Sequence, residues 1–349
     1  MSLTDRIEAK WIDSFVEVFR LCGVQPGDAC AVLSETLSRP SLVQLSELAL
    51  ARLGARWFHV VLPTPRQSVP VPVRSTGASD AIGRLQPVIN ALAGSVFIAD
   101  CTVEGLQHAV ELPEILKGGA RVLVISNEHP EILERTAPRA EDEAPVRNAM
   151  RQMKGARQMQ VRSAAGSDLT VSLAGARFGG VWGFTAKPGS LSHWPAGLVL
   201  AFPAAGAVNG TLVLAPGDVN LTFKRYLADP VVLHIADDHV TTIEGRSVDA
   251  DLMRGYFEAW ASDPHDRSAY AVSHVGWGLN RRARWDAMAF YDKADFNGTE
   301  LRAFAGSFLY STGANEVAGR HTLGHFDLPM RGCTVTLDGV AVVDNGQLL

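Results

Sequence analysis

Short apolar runs alternate with segments of helical periodicity over the first 140 residues. The apolar runs predict strands at residues 29–35, 57–63, 96–100 and 121–126. Apolar positions three and four residues apart predict helices at residues 40–55, 79–94 (capped by Ser79 or Asp80) and 104–119. Such alternation builds a parallel sheet with helices on both faces. We therefore predict an open, mostly parallel α/β domain over residues 1–140.

From residue 158 onward the pattern changes to short β-like segments separated by glycine and proline. Leu-Asp-Gly at 337–339 and Asp-Asn-Gly at 344–346 are hairpin-turn signals. One stretch, residues 249–263, carries apolar side chains at helical spacing. The charged segment at 141–157 predicts a linking helix between the two regions. Residues 158–349 are therefore predicted to form a mainly antiparallel β domain of the α+β type, and the candidate metal ligands described below lie in it.

The overall composition is that of an ordinary globular protein. The chain has 349 residues, of which 47% are apolar and 20% charged, enough to bury a large core in two domains. Its formal net charge of −5 is mild and spread out, which argues against a nucleic-acid partner. The four cysteines lie far apart, the N-terminus lacks an apolar signal-peptide core, and no run of 18 apolar residues occurs. We expect a cytoplasmic protein without membrane contact and, from the glycine-rich β segments with apolar faces, a homo-oligomer.

Several common signatures are absent from the sequence. No GxGxxG follows the first strand and no GxxxxGK[ST] occurs, so nucleotide binding is disfavoured. Neither the GxSxG of serine hydrolases nor the HExxH of helical zinc proteases is present. A mononuclear metal site built from histidine and carboxylate side chains is the best remaining chemical hypothesis.

His325 and Asp327 are the most informative pair, in the stretch "GHFDLPMRG" at 324–332. In an extended strand alternate side chains share a face, so the imidazole and the carboxylate would point the same way. Both are metal ligands, and no particular helix is needed to present them. Ordinary surface alternation produces the same spacing.

His274 lies in "SHVGWGLNRRARW", where glycines on both sides of Trp277 allow other groups to approach the backbone. If the chain folds back so that His274 joins His325 and Asp327, the three form a set of two histidines and one carboxylate. That set leaves open positions on a metal and is typical of non-heme Fe(II) enzymes that use O2. The alternative is a half-buried histidine at a strand end.

Three further residues could take part in chemistry. His193, in "KPGSLSHWPAG", could remove a proton from a phenolic substrate, or it could simply pack on Trp194. His108 follows the strand "VFIAD", on the side of a parallel sheet where ligands often bind, although the pattern favours a histidine on a helix surface. Ser311 precedes Thr312 and a glycine at a strand end, where it could bind substrate or cap a turn.

Six blocks of the sequence resemble a known family: "VRSAAGSDLTV", "HWPAG", "GTLVL", "SHVGWGLNRRARW", "FLYSTG" and "HFDLP". The family is the 2,5-dihydroxypyridine 5,6-dioxygenases, Fe(II) enzymes of bacterial nicotinate and nicotine breakdown, which are related in fold to the thermophilic metalloaminopeptidases. The similarity runs in order through nearly the whole chain and is most specific over residues 161–333. The resemblance implies that Fe(II) is the cofactor and that a small aromatic ring and O2 are the substrates.

Carried over by motif, the resemblance also implies roles for individual residues. It implies iron ligands at His274, His325 and Asp327, as the chemistry of these residues suggested. The active-site histidine of the "HWP" loop falls on His193, and the family's serine falls on Ser311. A further active-site histidine falls near His108, where the spacing differs by a small insertion.

One departure from the family concerns the substrate. Where the family has Glu-Tyr-Gly, this chain reads Val181, Trp182 and Gly183, so an apolar group replaces an acidic one expected in the pocket. For 2,5-dihydroxypyridine the resemblance implies cleavage between carbons 5 and 6, which gives N-formylmaleamate, but a related hydroxylated ring is an alternative substrate. We predict aromatic walls from Trp182, Trp194 and Trp277. The rival functions are a metal-dependent hydrolase of the aminopeptidase type and a binding protein without enzymatic activity.

Overall fold

The structure is a computed structural model that describes residues 6–72, 78–261 and 265–349. The described residues form eight α-helices and twenty β-strands. The helices are α1 (Ala9–Leu21), α2 (Pro40–Arg52), α3 (Gln86–Ala93), α4 (Leu112–Lys117), α5 (Pro130–Arg135), α6 (Glu143–Gly155), α7 (Val248–Trp260) and α8 (Thr299–Ala303). The strands are β1 (Ala29–Glu35), β2 (Arg56–Leu62), β3 (Phe97–Asp100), β4 (Arg121–Ile125), β5 (Gln158–Ser163), β6 (Asp168–Ser172), β7 (Arg177–Val181), β8 (Leu191–Trp194), β9 (Leu198–Phe202), β10 (Val208–Leu214), β11 (Val219–Asn220), β12 (Arg225–Tyr226), β13 (Val231–Ala236), β14 (His239–Glu244), β15 (Val272–Gly278), β16 (Phe308–Thr312), β17 (Phe326–Met330), β18 (Cys333–Leu337), β19 (Val340–Asp344) and β20 (Gln347–Leu348).

The first region contains the predicted parallel sheet, with strand order β2-β1-β3-β4-β8. All four pairings in it are parallel, and β1, β3 and β4 are buried almost throughout, as their unbroken apolar runs require. The fifth strand, β8, lies on the C-terminal side of the predicted boundary at residue 158. The parallel sheet therefore crosses the predicted domain limits, because nothing in a four-residue strand specifies which sheet it will join.

Two predicted helices are shorter than their apolar patterns suggested. The helix predicted from residue 79 begins only at Gln86, because the Ser79 hydroxyl bonds Glu35 across the fold (2.7 Å) instead of capping a helix. The helix predicted from residue 104 begins only at Leu112, because the Asp100 carboxylate accepts backbone and side-chain hydrogen bonds from residues 102 and 106 and winds the chain into a turn. His108 therefore lies in a turn and not, as predicted, on a helix.

The second region contains two large antiparallel sheets and the two-stranded sheet β11-β12, which confirms the predicted change to mainly antiparallel β structure. An eight-stranded sheet (β14-β13-β10-β6-β5-β18-β19-β20) packs on a five-stranded sheet (β17-β16-β15-β9-β7), and one apolar core draws side chains from both. The two predicted hairpin turns have positive φ at both central residues, as two-residue β-hairpin turns of type I′ require. The central residues are Asp338 and Gly339 in the first turn and Asn345 and Gly346 in the second.

Two helices flank these sheets. The predicted linking helix is α6, which packs on β7 and β9 at the point where Gly180 leaves room for Met150. The predicted helix at 249–263 is α7, although its residues 262 and 263 lie outside the described residues. Among the residues that the structure describes, no helix is long and apolar enough to cross a membrane.

Candidate metal centre and substrate cavity

The predicted ligands meet on one face of the five-stranded sheet. Asp327 on β17 pairs in register with Ser311 on β16, and Ser311 pairs with His274 on β15. Residues directly opposite one another on antiparallel strands project to the same face, so the three form one cross-strand row. His325 precedes Asp327 by two residues and reaches the same face. Ligand atoms of His274, His325 and Asp327 all lie within 4.8 Å of one another.

A hydrogen-bond chain sets the tautomer of His274. The Ser273 hydroxyl donates to the carbonyl of Ala314 (2.6 Å), so its oxygen is free to accept from Nδ1 of His274 (3.1 Å). Nε2 then carries the lone pair, and it lies 4.0 Å from Oδ1 of Asp327. Burial holds the pKa of His274 well below its usual value. His274 is therefore neutral, with a free lone pair, which is the state a metal ligand needs.

His325 is placed through its backbone and by ring packing. The hydroxyl of Tyr256 on α7 accepts from its amide (2.8 Å) and donates to its carbonyl (2.9 Å). Its ring stacks on that of His274, with centroids 5.3 Å apart, and its Nε2 lies 3.2 Å from Oδ1 of Asp327. Within the described residues its Nδ1 has no hydrogen-bond partner. The two imidazoles and the carboxylate therefore converge on one point.

Arg302 and Ser311 hold the Asp327 carboxylate. Arg302 Nε lies 2.5 Å from Oδ2, a charge contact that is not aligned as a hydrogen bond, and the Ser311 hydroxyl donates to Oδ1. Burial alone would raise the pKa of Asp327, but the positive Arg302 and the neighbouring imidazoles hold it well below its usual range. Arg302 can lie there because the end of α8 crosses β15 closely: a Cβ at Gly278 would come 2.1 Å from the Phe304 carbonyl oxygen.

Replacing Ser311 with alanine is expected to weaken metal binding about 10- to 100-fold, because residues that orient a ligand typically contribute that much. Ser311 is fully buried, and its hydroxyl faces Asp327, so its loss frees the carboxylate to rotate. Anaerobic titration with Co(II), followed by its visible absorption, measures the effect. Ser172→Ala, on β6 of the other sheet, is the matched control. An unchanged Co(II) affinity in Ser311→Ala would contradict this role.

A cavity of about 650 Å³ opens beside the three ligands and is also lined by His193 and His108. Nδ1 of His193 lies 2.7 Å from the Pro195 carbonyl, which can only accept, so Nδ1 carries the proton and Nε2 is a free acceptor. Burial lowers the pKa of His193 to about 4, although the bond to Pro195 opposes the shift. Burial, and then the charge of His325, lower the pKa of His108 to about 3. Both histidines are therefore neutral at neutral pH.

The predicted aromatic walls are wrong. Trp277 points into the core between the sheets and Trp194 into the core under α1, 4.9 Å from Phe15, while Trp182 lines a different cavity. Strand alternation explains the error, because Trp277 and Trp194 lie an odd number of residues from His274 and His193 and so face the opposite way. Phe202 is the aromatic ring that lines this cavity, 5.4 Å from His274.

Sequence reasoning missed three residues at the site: Arg302, Phe202 and Tyr256. Phe202 could have been found, because it alternates with Leu198 and Leu200 on a strand beside His274. Arg302 and Tyr256 lie on helices with no local signal for a role, and only the fold brings them to Asp327 and His325.

Comparison with known proteins gives a consistent result. A family model described as NicX, 2,5-dihydroxypyridine 5,6-dioxygenase, matches residues 10–349. A 2,5-dihydroxypyridine 5,6-dioxygenase of Pseudomonas putida strain KT2440 is 35% identical over 346 residues, which cover 98% of this chain and 96% of the relative. A solved structure of the 2,5-dihydroxypyridine dioxygenase from that strain superposes with a TM-score of 0.91 at 33% identity, covering 99% of this chain and 98% of the other.

A second solved structure, wild-type AmpT from Thermus thermophilus, superposes with a TM-score of 0.65 at 13% identity over 97% of this chain and 99% of the other, which shows a shared fold alone. The family resemblance and the fold relationship expected from the sequence blocks are thereby confirmed. This chain belongs to the 2,5-dihydroxypyridine 5,6-dioxygenase family.

Proposed function

We propose that this protein is an Fe(II)-dependent, extradiol-type dioxygenase that opens 2,5-dihydroxypyridine or a closely related hydroxylated ring. One O2 is consumed per ring, the bond between carbons 5 and 6 breaks, and both oxygen atoms enter the product, which is N-formylmaleamate for the pyridine. The observation that supports this best is the grouping of His274, His325 and Asp327 beside a cavity. Family membership supports the ring class.

The residues of this group fit Fe(II). Two imidazoles and one carboxylate on a single sheet face leave positions open for other ligands, the arrangement found in Fe(II) enzymes that use O2. When bound there, Fe(II) supplies the one-electron chemistry that O2 requires. Arg302 balances the charge of Asp327, and Ser273 keeps the lone pair of His274 directed at the centre.

His193 is the proposed proton acceptor. Its free Nε2 takes the proton of a ring hydroxyl, while Nδ1 stays bonded to the Pro195 carbonyl, which stabilises the imidazolium formed. The loss of this proton makes the ring richer in electrons before it is opened. His108 lines the same cavity, with its ring 5.2 Å from that of His325, and we propose that it contacts the bound ring. Ser311 positions Asp327 and does not line the cavity.

The test is anaerobic loading with Fe(II), followed by an oxygen-electrode assay of 2,5-dihydroxypyridine, a gentisate-type acid and a catechol. We expect uptake of one O2 per molecule of the pyridine or a close relative, and none after loading with Zn(II). Zn(II)-dependent or Co(II)-dependent cleavage of peptides without O2 uptake would support the hydrolase instead.

A metal-dependent hydrolase of the aminopeptidase type remains the second candidate function, and only the shared fold supports it. Two-metal hydrolases hold their metals with bridging carboxylates. Across residues 6–72, 78–261 and 265–349, Asp327 is the single carboxylate of the candidate group, which disfavours such a centre.

We further propose a homo-oligomer, as expected from the sequence. Support comes from β2, an edge strand of the parallel sheet that exposes Trp57, Phe58 and Val61. The cytoplasmic location stays a prediction, supported by four cysteines that are all free and buried.

A further inference from the structure

The cavity is much larger than a dihydroxypyridine. Its volume of about 650 Å³ lies within the range of about 300–1,000 Å³ that typically holds drug-sized ligands. A dihydroxypyridine has eight non-hydrogen atoms and would occupy only the part next to the candidate ligands and His193. The chemistry of the remaining walls therefore indicates what else is bound.

The sheet face changes from polar to apolar with distance from the metal row. Asp327, Ser311 and His274 form one cross-strand row, which the register continues to Phe202 and Arg177. Two residues along each strand, the next row contains Leu309 and Leu200, and the row after that contains Leu198 and Val181. Rows of one face lie about 7 Å apart along the strands. The face is therefore apolar from about 7 Å to about 14 Å beyond the candidate ligands.

Two further elements add apolar side chains to the lining of the cavity. Leu191 lies two residues before His193 on the same face of β8, and α4 contributes Leu112 and Leu116. All three leucines also pack against one apolar core. We call the part of the cavity lined by these side chains the apolar compartment; its seven residues are Leu112, Leu116, Val181, Leu191, Leu198, Leu200 and Leu309.

The charged side chains that can be placed by register or contact lie elsewhere in the cavity. Arg302 contacts Asp327, and Arg177 lies at the end of the metal row, paired with Glu316 at 3.3 Å. Glu104 also lines the cavity, but it is not one of the residues of the apolar compartment. A substituent in the compartment would therefore leave water and contact apolar side chains. A carboxylate there would be buried unpaired, which is strongly unfavourable.

We propose that the ring opened by this protein carries an apolar substituent, an alkyl chain or a fused hydrocarbon ring, and that the apolar compartment binds it. The inference rests on the proposed function. Ring carbons 3 and 4 are the positions for this group, because carbons 2 and 5 carry the hydroxyls and the bond between carbons 5 and 6 breaks. The reaction balance is unchanged: one O2 enters, and the substituent is retained in the ring-opened product.

The test compares 2,5-dihydroxypyridine with its 3- and 4-methyl and 3- and 4-propyl derivatives in the Fe(II)-loaded enzyme. Each buried methylene is expected to raise kcat/KM about fourfold in one of the two series. The better propyl derivative, with three added carbons, should therefore exceed the parent by about 60-fold. If the parent ring matches or exceeds both series, the proposal is overturned.

Val181→Phe fills the compartment and is expected to reduce the propyl-to-parent ratio of kcat/KM at least about tenfold. Val340→Phe makes the same change at an exposed position of β19 and should keep the wild-type ratio. Should Val181→Phe fail to fold, Leu200→Ala enlarges the compartment and should raise the ratio of pentyl to propyl derivatives. If neither Val181→Phe nor Leu200→Ala changes its ratio of kcat/KM values, the assignment of the compartment is contradicted.

A binding measurement separates this proposal from the proposed function. Calorimetry without O2 compares 2-hydroxypyridine with its 3- and 4-propyl derivatives on the metal-loaded protein. If no ring supports O2 uptake, the proposed function fails, yet tighter binding of a propyl derivative, lost in Val181→Phe, would still establish the compartment. Equal binding of all three ligands would overturn it.

Discussion

Asp327→Asn is expected to lower metal affinity by more than about 100-fold, beyond the range typical of residues that only orient ligands, and to abolish O2 uptake. The carboxylate is the single anionic group among the three candidate ligands, and Oδ1 faces both imidazoles. An amide of the same shape removes the charge and leaves Arg302 without its counter-charge. Anaerobic Co(II) titration and the oxygen electrode measure the two effects.

Asp237→Asn is the matched control, since Asp237 is exposed in a hairpin turn with positive φ, a conformation that asparagine also adopts. It should bind metal and consume O2 as the wild type does. Wild-type metal affinity in Asp327→Asn would refute the ligand set, whatever its activity.

His193→Gln is expected to lower kcat about 10²- to 10⁴-fold, the range for loss of a general base, with metal affinity unchanged. Because burial lowers the pKa of His193 to about 4, the imidazole is neutral and able to accept a proton at all pH values above that. Activity that depends on His193 should thus be present near neutrality and be lost as the pH falls through about 4. A kcat–pH profile measures this loss of activity at low pH. The residual activity of His193→Gln should not show it.

His234→Gln provides the control, because His234 lies on β13, is paired with the exposed Glu244, and does not line the cavity. Its kcat and pH profile should match those of the wild type. A His193→Gln variant that keeps full kcat would exclude His193 as the base.

Four of the five strand positions in the parallel sheet were predictable because they depend on local sequence; β8 was not predicted. β1 has the predicted bounds, β3 and β4 differ from theirs by one residue at one end, and β2 is shifted by one residue at both ends. The helices were less predictable. Apolar spacing alone cannot show that Ser79 will bond Glu35, or that Asp100 will organise the turn containing His108. The apolar spacing also did not lead us to predict α1, although Phe15 and Phe19 bury its inner face.

For the site, the sequence by itself determined that His325 and Asp327 share a face, because alternation along a strand is local. Only the tertiary structure decided that His274 joins them, since the order and register of β15, β16 and β17 come from long-range packing. The same holds for the Arg302 contact and the apolar compartment, whose walls come from two sheets and a helix far apart in the chain. Local periodicity specifies which way a side chain points, and only the packed fold specifies what it meets.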